Sequence, residues 1–110
     1  MISKALIAAS TKPLILSILS RGENYGYQII QRVKAISGGA IQWSDGMLYP
    51  VLHRLEKDGF IRAQWRLSEE GRRRKYYKIT EAGRTELESD IREWMHVHQA
   101  LTQLWKPAAS

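Results

Sequence analysis

The 110-residue chain has no cysteine, which excludes a disulfide framework, a thiolate metal site and a cysteine nucleophile, and fits a reducing cytoplasm. Proline occurs only three times and phenylalanine once. No apolar run can span a bilayer, because Ser10, Thr11, Lys12 and Pro13 interrupt the apolar stretch between Met1 and Ile18; neither a signal peptide nor a membrane helix is expected. Repeats and low-complexity tracts are missing apart from the short tail at 106–110, which is expected to be mobile. Catalytic patterns are missing too. There is no Ser, His and acid set, no phosphate-cradling glycine loop and no pair of carboxylates on one apolar face, so neither an enzyme nor a cofactor is expected. His96 and His98 lie about 200° apart on a helix and cannot share a metal ion. The Glu-x-x-His spacing of Glu93 and His96 stands in a single copy without further ligands, so no metal site is expected.

What is present describes one globular domain. The chain is 44% hydrophobic and 25% charged, and its length supports one compact core rather than two. Its formal net charge is +6, and the segment from Arg62 to Lys78, with seven basic and two acidic residues, holds +5 of it. The remainder is nearly neutral.

Residues 44–83 form the organising stretch, a helix followed by a basic hairpin. Leu48, Val51, Leu52 and Leu55 follow the i, i+3, i+4, i+7 spacing of a single apolar stripe. The opposite face carries Gly46, Pro50, His53 and Lys57, with Tyr49 and Arg54 at its edges. Ser44 is placed as N-cap with Asp45 beside the positive dipole end, and Gly59 as the stop. Pro50 predicts a bend or an irregular first turn. Beyond the stop, Ile61, Ala63, Trp65 and Leu67 alternate with Arg62, Gln64 and Arg66, the period of a strand with one buried face. Trp65 is therefore expected in the core. A turn at 68–72 leads to a second strand, Arg73 to Thr80, on which Tyr76 and Tyr77 point to opposite faces, one into the core and one toward a phosphate.

Before this unit, residues 4–20 read as helix, with Pro13 either opening a new helix or kinking a longer one. Its apolar residues, Leu6 among them, are too many for one narrow face. One side fits the domain core and another a second protomer, although a central core helix in a monomer would also account for them. Gly22 ends this helix and Asn24 is placed as cap of the next, over about Tyr25 to Ile36, with Ile29, Val33 and Ile36 as stripe and Ile30 beside them. Gly26, between two tyrosines, marks a close helix contact or local permissiveness. The extended link 40–43 leads into Ser44, with Trp43 as a plug beneath it. After the hairpin, Thr80 caps a last helix in which Leu87, Ile91, Trp94, His98, Leu101 and Trp105 form a heptad-like seam. Pairing with the same helix of another protomer would bury that seam; folding back onto the domain is the alternative.

A groove-sized helix with a polar outer face beside concentrated positive charge suits a duplex: phosphates attract Arg and Lys while the helix reads base edges. The fold expected is mainly α with a two-stranded β-wing, a winged helix-turn-helix over 1–80, plus a long C-terminal dimerisation helix over 81–105. A protein-interaction or architectural module without an inducer is the second reading.

The segments GENYGYQIIQRV, GMLYPVLHRLEKDGFI and GRRRKYYKITEAG, in that order over roughly residues 13–90, resemble the signatures of PadR-type winged-helix transcriptional regulators, in their short, small-subunit branch. The resemblance implies a homodimeric repressor on an inverted-repeat operator, released by a small molecule. It places DNA contacts at Ser44, Gly46, Met47, Tyr49, Pro50, His53, Arg54 and Lys57 on the reading helix. On the wing it places them at Arg72, Arg73, Arg74, Lys75 and Tyr76. Trp94 falls where some drug-sensing members stack flat aromatic ligands at the dimer centre, and Leu6, Pro13 and His98 complete the ligand contacts so implied. Leu87, Ile91, Trp94, Leu101 and Trp105 are the implied dimer contacts. Two positions depart from the pattern. Met47 stands where Thr or Ser is more usual, removing a polar contact from the reading helix. His98 replaces an acid found in some drug-binding members, which disfavours cationic ligands.

Overall fold

The computed structural model describes residues 2–105; the tail expected at 106–110 lies outside the described residues. The elements run α1 (Lys4–Ser20), β1 (Asn24–Tyr25), α2 (Gly26–Ile36), α3 (Asp45–Lys57), β2 (Ile61–Leu67), β3 (Arg73–Ile79) and α4 (Glu81–Leu104). Each helix of the first three gives one stripe to a common core: Ile15, Leu16, Ile18 and Leu19 from α1, Ile29 and Val33 from α2, Leu48, Leu52 and Leu55 from α3. Ile61, Tyr77 and Ile79 close it from the sheet, Ile41 and Trp43 from the loop before α3, and Leu87 from α4. Trp43 is thus the plug that the sequence predicts. Truncating a fully buried leucine such as Leu52 costs about 2–5 kcal/mol in cores of this kind.

Both interior prolines are absorbed. Pro13 and Pro50 each lie inside one uninterrupted helix, so Pro13 does not open a new helix but lies within a longer one. Near Pro13, the Ser10 and Thr11 hydroxyls donate to the Ile7 carbonyl at 3.0 and 2.7 Å, the back-bonding expected of such residues inside a helix.

The sheet has three strands, in order β1-β3-β2 and antiparallel throughout. The wing expected as two strands therefore has a two-residue edge strand, with Asn24 opposite Tyr77 and Tyr25 opposite Tyr76. This pairing takes Asn24 out of the capping position. The N-cap of α2 is Tyr25, whose side chain makes no cap bond.

The β2–β3 ribbon extends past the core. The pairs Ile61–Ile79 and Ala63–Tyr77 lie over the helices, whereas Trp65–Lys75 and Leu67–Arg73, on the same face, lie beyond them. Trp65 is consequently 54% exposed and Leu67 74%, which corrects the expectation of a strand buried along its whole length. Ile36 is corrected likewise: as the last residue of α2 it is 67% exposed.

Two sets of polar contacts tie α4 to the domain. The Thr80 side chain accepts from the Gly83 amide at 3.0 Å and its hydroxyl donates to the Gly59 carbonyl at 2.6 Å, while its own amide donates to Phe60 O at 3.0 Å. Farther on, the Lys12 ammonium of α1 bridges Glu86 and Asp90 of α4, at 3.3 Å from the latter. Burial pulls the Lys12 pKa down, but its hydrogen bonds and charge interactions with Glu86 and Asp90 outweigh that and leave it raised. Burial raises the Asp90 pKa, and Lys12 offsets only part of the rise.

A Cβ at Gly83 would overlap the Phe60 carbonyl oxygen, backbone that cannot swing away as a side chain can. Gly83→Ala is therefore expected to lose about 2–3 kcal/mol of stability despite the better helix propensity of alanine. Urea denaturation of the two proteins checks this, and an unchanged midpoint would contradict it.

Candidate nucleic-acid interface

The outer surface of α3 is set by its two ends. At the start, the Ser44 hydroxyl accepts from the Met47 amide at 3.2 Å, as the sequence predicts. At the stop, Phe60 N–H reaches Leu55 O at 3.0 Å and Gly59 N–H reaches Glu56 O at 3.1 Å, with Gly59 at φ 83°. This is the Schellman pattern, and the positive φ is why glycine stands there. Between the ends Leu48, Leu52 and Leu55 face inward, so Gly46, Pro50, His53, Arg54 and Lys57 face solvent. Among the described residues Arg54 and Lys57 form no ion pair. Met47, expected on the reading surface, is half-buried and packs against the core.

Tyr49 does not simply project outward. Its ring crosses to the start of α2, where its hydroxyl lies so close that a Cβ at Gly26 would collide with it; Gly26 is a close helix contact. Tyr49 is still 44% exposed, on a cleft of about 740 Å³ between the start of α2, α3 and the wing. Tyr25, Tyr27, Trp65, Tyr77 and the basic run Arg72–Lys75 complete the lining. Burial, with the Asp45 charge adding to it, raises the Tyr49 pKa. Burial pushes the Tyr77 phenol up to about 12, with Tyr49 and Glu56 contributing.

The wing does not present its cations uniformly. Strand alternation sends Arg66, Arg74 and Tyr76 to the outer face, beside Tyr25 of β1. There the Arg66 guanidinium lies 4.2 Å from the Tyr76 centroid, that of Arg74 lies 4.3 Å from Tyr25, and the two tyrosines meet edge to face. Tyr76, expected to be free for a phosphate, is half-covered by this stack. Acids hold three of the basic groups: Arg66 pairs with Glu23, Arg74 with Glu70 at 3.5 Å, and Lys75 with Glu56 at 3.6 Å. Arg72 and Arg73, at the tip, are exposed and form no ion pair among the described residues. The expected cluster of four thus separates into two held and two free cations.

On α4, Leu87 is buried in the protomer's own core, so this residue, expected at a dimer seam, is already covered. Ile91, Trp94, Leu101 and Trp105 are exposed, with Met95, Val97 and Leu104 beside them. Trp94, 37% exposed, lines a small hollow of about 260 Å³ with Pro13, Leu14 and Ile91 between α1 and α4. Leu6 and His98 are exposed and lie outside that lining.

Sequence reasoning missed the acids that hold the wing and the role of Tyr25. Glu23 and Arg66 stand 43 residues apart, and nothing in the local pattern joins them. Strand alternation could have separated Arg74 from Arg73.

Helix, turn, reading helix and β-ribbon packed in this order make a winged helix-turn-helix. The model of the transcriptional regulator PadR-like family matches residues 15–89. The chain superposes on a transcriptional regulator from Clostridium thermocellum with a TM-score of 0.86 at 29% identity, over 96% of this chain and 100% of that one. A PadR-like transcriptional regulator from Bacillus cereus gives a TM-score of 0.83 at 29% identity, over 94% and 99%. The negative transcriptional regulator PadR of Bacillus subtilis is 30% identical over 95 residues, 86% of this chain but half of that protein's length. The chain belongs to the PadR-like family, whose members are transcriptional regulators and not enzymes.

Tyr77 gives the cleft a pH signature. Its folded pKa lies above the ordinary value of 10.0, at about 12, so the stability it contributes is complete below the ordinary value and is lost as pH climbs toward the folded one. Tyr77→Phe, which removes the proton, is expected to lose less stability across that interval than the parent protein. Chemical denaturation at several alkaline pH values checks this; identical alkaline losses would contradict it.

Proposed function

We propose that this chain is the protomer of a homodimeric repressor that binds an inverted-repeat operator and is released by a flat aromatic molecule. The observation that carries the reading is the pair of uncompensated cations, Arg72 and Arg73, at the tip of a wing beside the solvent-facing side of α3. Phosphates are the natural counter-charge for such a tip, and a helix of this exposure fits the major groove. Residues 1–80 supply this duplex-binding part, with contacts at Ser44, Gly46, Pro50, His53, Arg54 and Lys57. Tyr49 takes part through its open face.

Residues 81–105 supply the pairing helix. An apolar face built from Ile91, Trp94, Leu101 and Trp105 marks an interaction surface in a protein of this size. A twofold arrangement sets two wings and two reading helices against half-sites about one helical turn apart, roughly 34 Å. Stacking of a flat aromatic ligand on Trp94 at the dimer centre, near Pro13, would shift that spacing and release the operator.

Fluorescence anisotropy with the DNA upstream of the chain's own gene tests the reading. Affinity is expected to fall steeply with salt, and the Arg72→Ala, Arg73→Ala double variant should reduce the slope of log K against log salt by about 1–2. A flat aromatic compound should release the parent protein and leave Trp94→Ala bound. Salt-insensitive binding, or none, would refute the reading of the chain as a DNA-binding regulator. Release that Trp94→Ala does not abolish would refute the ligand site.

A further inference from the structure

We infer that Trp65 is a positioning residue of the wing, whose indole holds the Arg73 guanidinium ready for a phosphate without neutralising it. This rests on the reading of the chain as a DNA-binding regulator. Three observations carry it. Trp65 sits on the core-side face of the ribbon yet beyond the core, so more than half of a large apolar side chain stands in water. The Arg73 guanidinium lies over its ring, 5.2 Å from the centroid, the diagonal neighbour that pairing of Leu67 with Arg73 produces. Arg73 is also exposed and has no acid partner among the described residues, whereas Arg66, Arg74 and Lys75 each have one.

An acid and an indole support a guanidinium differently. A carboxylate that fixes an arginine also supplies its counter-charge, so a phosphate must compete with it. An aromatic face fixes the guanidinium through its quadrupole and leaves the full positive charge to attract an anion. A group ordered before binding loses less conformational freedom on binding. The pair also lines the cleft with Tyr27 and Tyr49, so a phosphate taken by Arg73 belongs to the backbone strand lying between α3 and the wing. Such a contact reads no bases, and its loss affects every duplex alike.

The test uses the full chain and a duplex, with affinity measured across a salt series. Trp65→Ala removes no charge, so it is expected to weaken binding about fivefold across the salt series with a slope close to that of the parent, whereas Arg73→Ala lowers the slope by up to about one. Trp65→Phe should restore most of the affinity. Combining Trp65→Ala with Arg73→Ala should add little to Arg73→Ala alone. Unchanged affinity in Trp65→Ala, or losses fully additive with those of Arg73→Ala, would overturn the inference while leaving the regulator reading intact. Failure of the parent protein to bind any duplex would overturn both. Melting temperature and circular dichroism of each variant exclude misfolding, and the phenylalanine variant keeps the inference testable if the alanine variant melts early.

Discussion

The β-ribbon is longer than the core it rests on, and the rest of the molecule's surface chemistry depends on that mismatch. Ile61, Tyr77 and Ile79 anchor one end against the helices. From Trp65 and Lys75 onward the same face has no apolar layer beneath it. Side chains that would form a core in a broader sheet stand in solution there, and among the described residues Arg72 and Arg73 at the tip form no ion pair. The ribbon is held upright by β1 pairing with β3 and by the Arg66–Tyr76 and Tyr25–Arg74 stacks on its outer face.

A second constraint sorts the charge. The net positive charge of the segment is a property of composition, but three acids from three different places, Glu23, Glu56 and Glu70, settle on particular basic side chains. Exposed pairs of this kind contribute little to stability, on the order of 0–1 kcal/mol each. In the proposed reading their effect on function is larger, because they determine which cations are left for a phosphate. In the proposed repressor the two ends of the chain's chemistry stay separate: the wing and α3 meet the operator, and the apolar face of α4 meets the second protomer.

Much of this was legible from residue order. Helix α3 and its stripe, its Ser44 cap and its Gly59 stop are local patterns, and each was found where the spacing puts it. The family resemblance rested on segments that lie in α2, α3, β3 and the start of α4, within the matched residues 15–89. What could not be read depends on distance or depth. A two-residue strand such as β1 has no periodicity to detect, and it displaced Asn24 from the cap. Alternation assigns Trp65 to a face but says nothing about where the core beneath that face ends. Gly83 gives no signal beyond an ordinary helix start, although its missing side chain lets α4 press against the Phe60 carbonyl. Leu87 fell in the same heptad as Ile91 and Trp94, and only the packing separates the residue used within the protomer from those left exposed.

In the proposed repressor the wing tip and the outer face of α3 together hold the duplex. Amide hydrogen exchange with and without operator DNA tests it most directly, because it reports each segment separately in the intact protein. Slowed exchange is expected at residues 44–57 and 66–74 on addition of DNA, with residues 95–104 unchanged. Protection confined to α4, with the wing exchanging as it does alone, would contradict it.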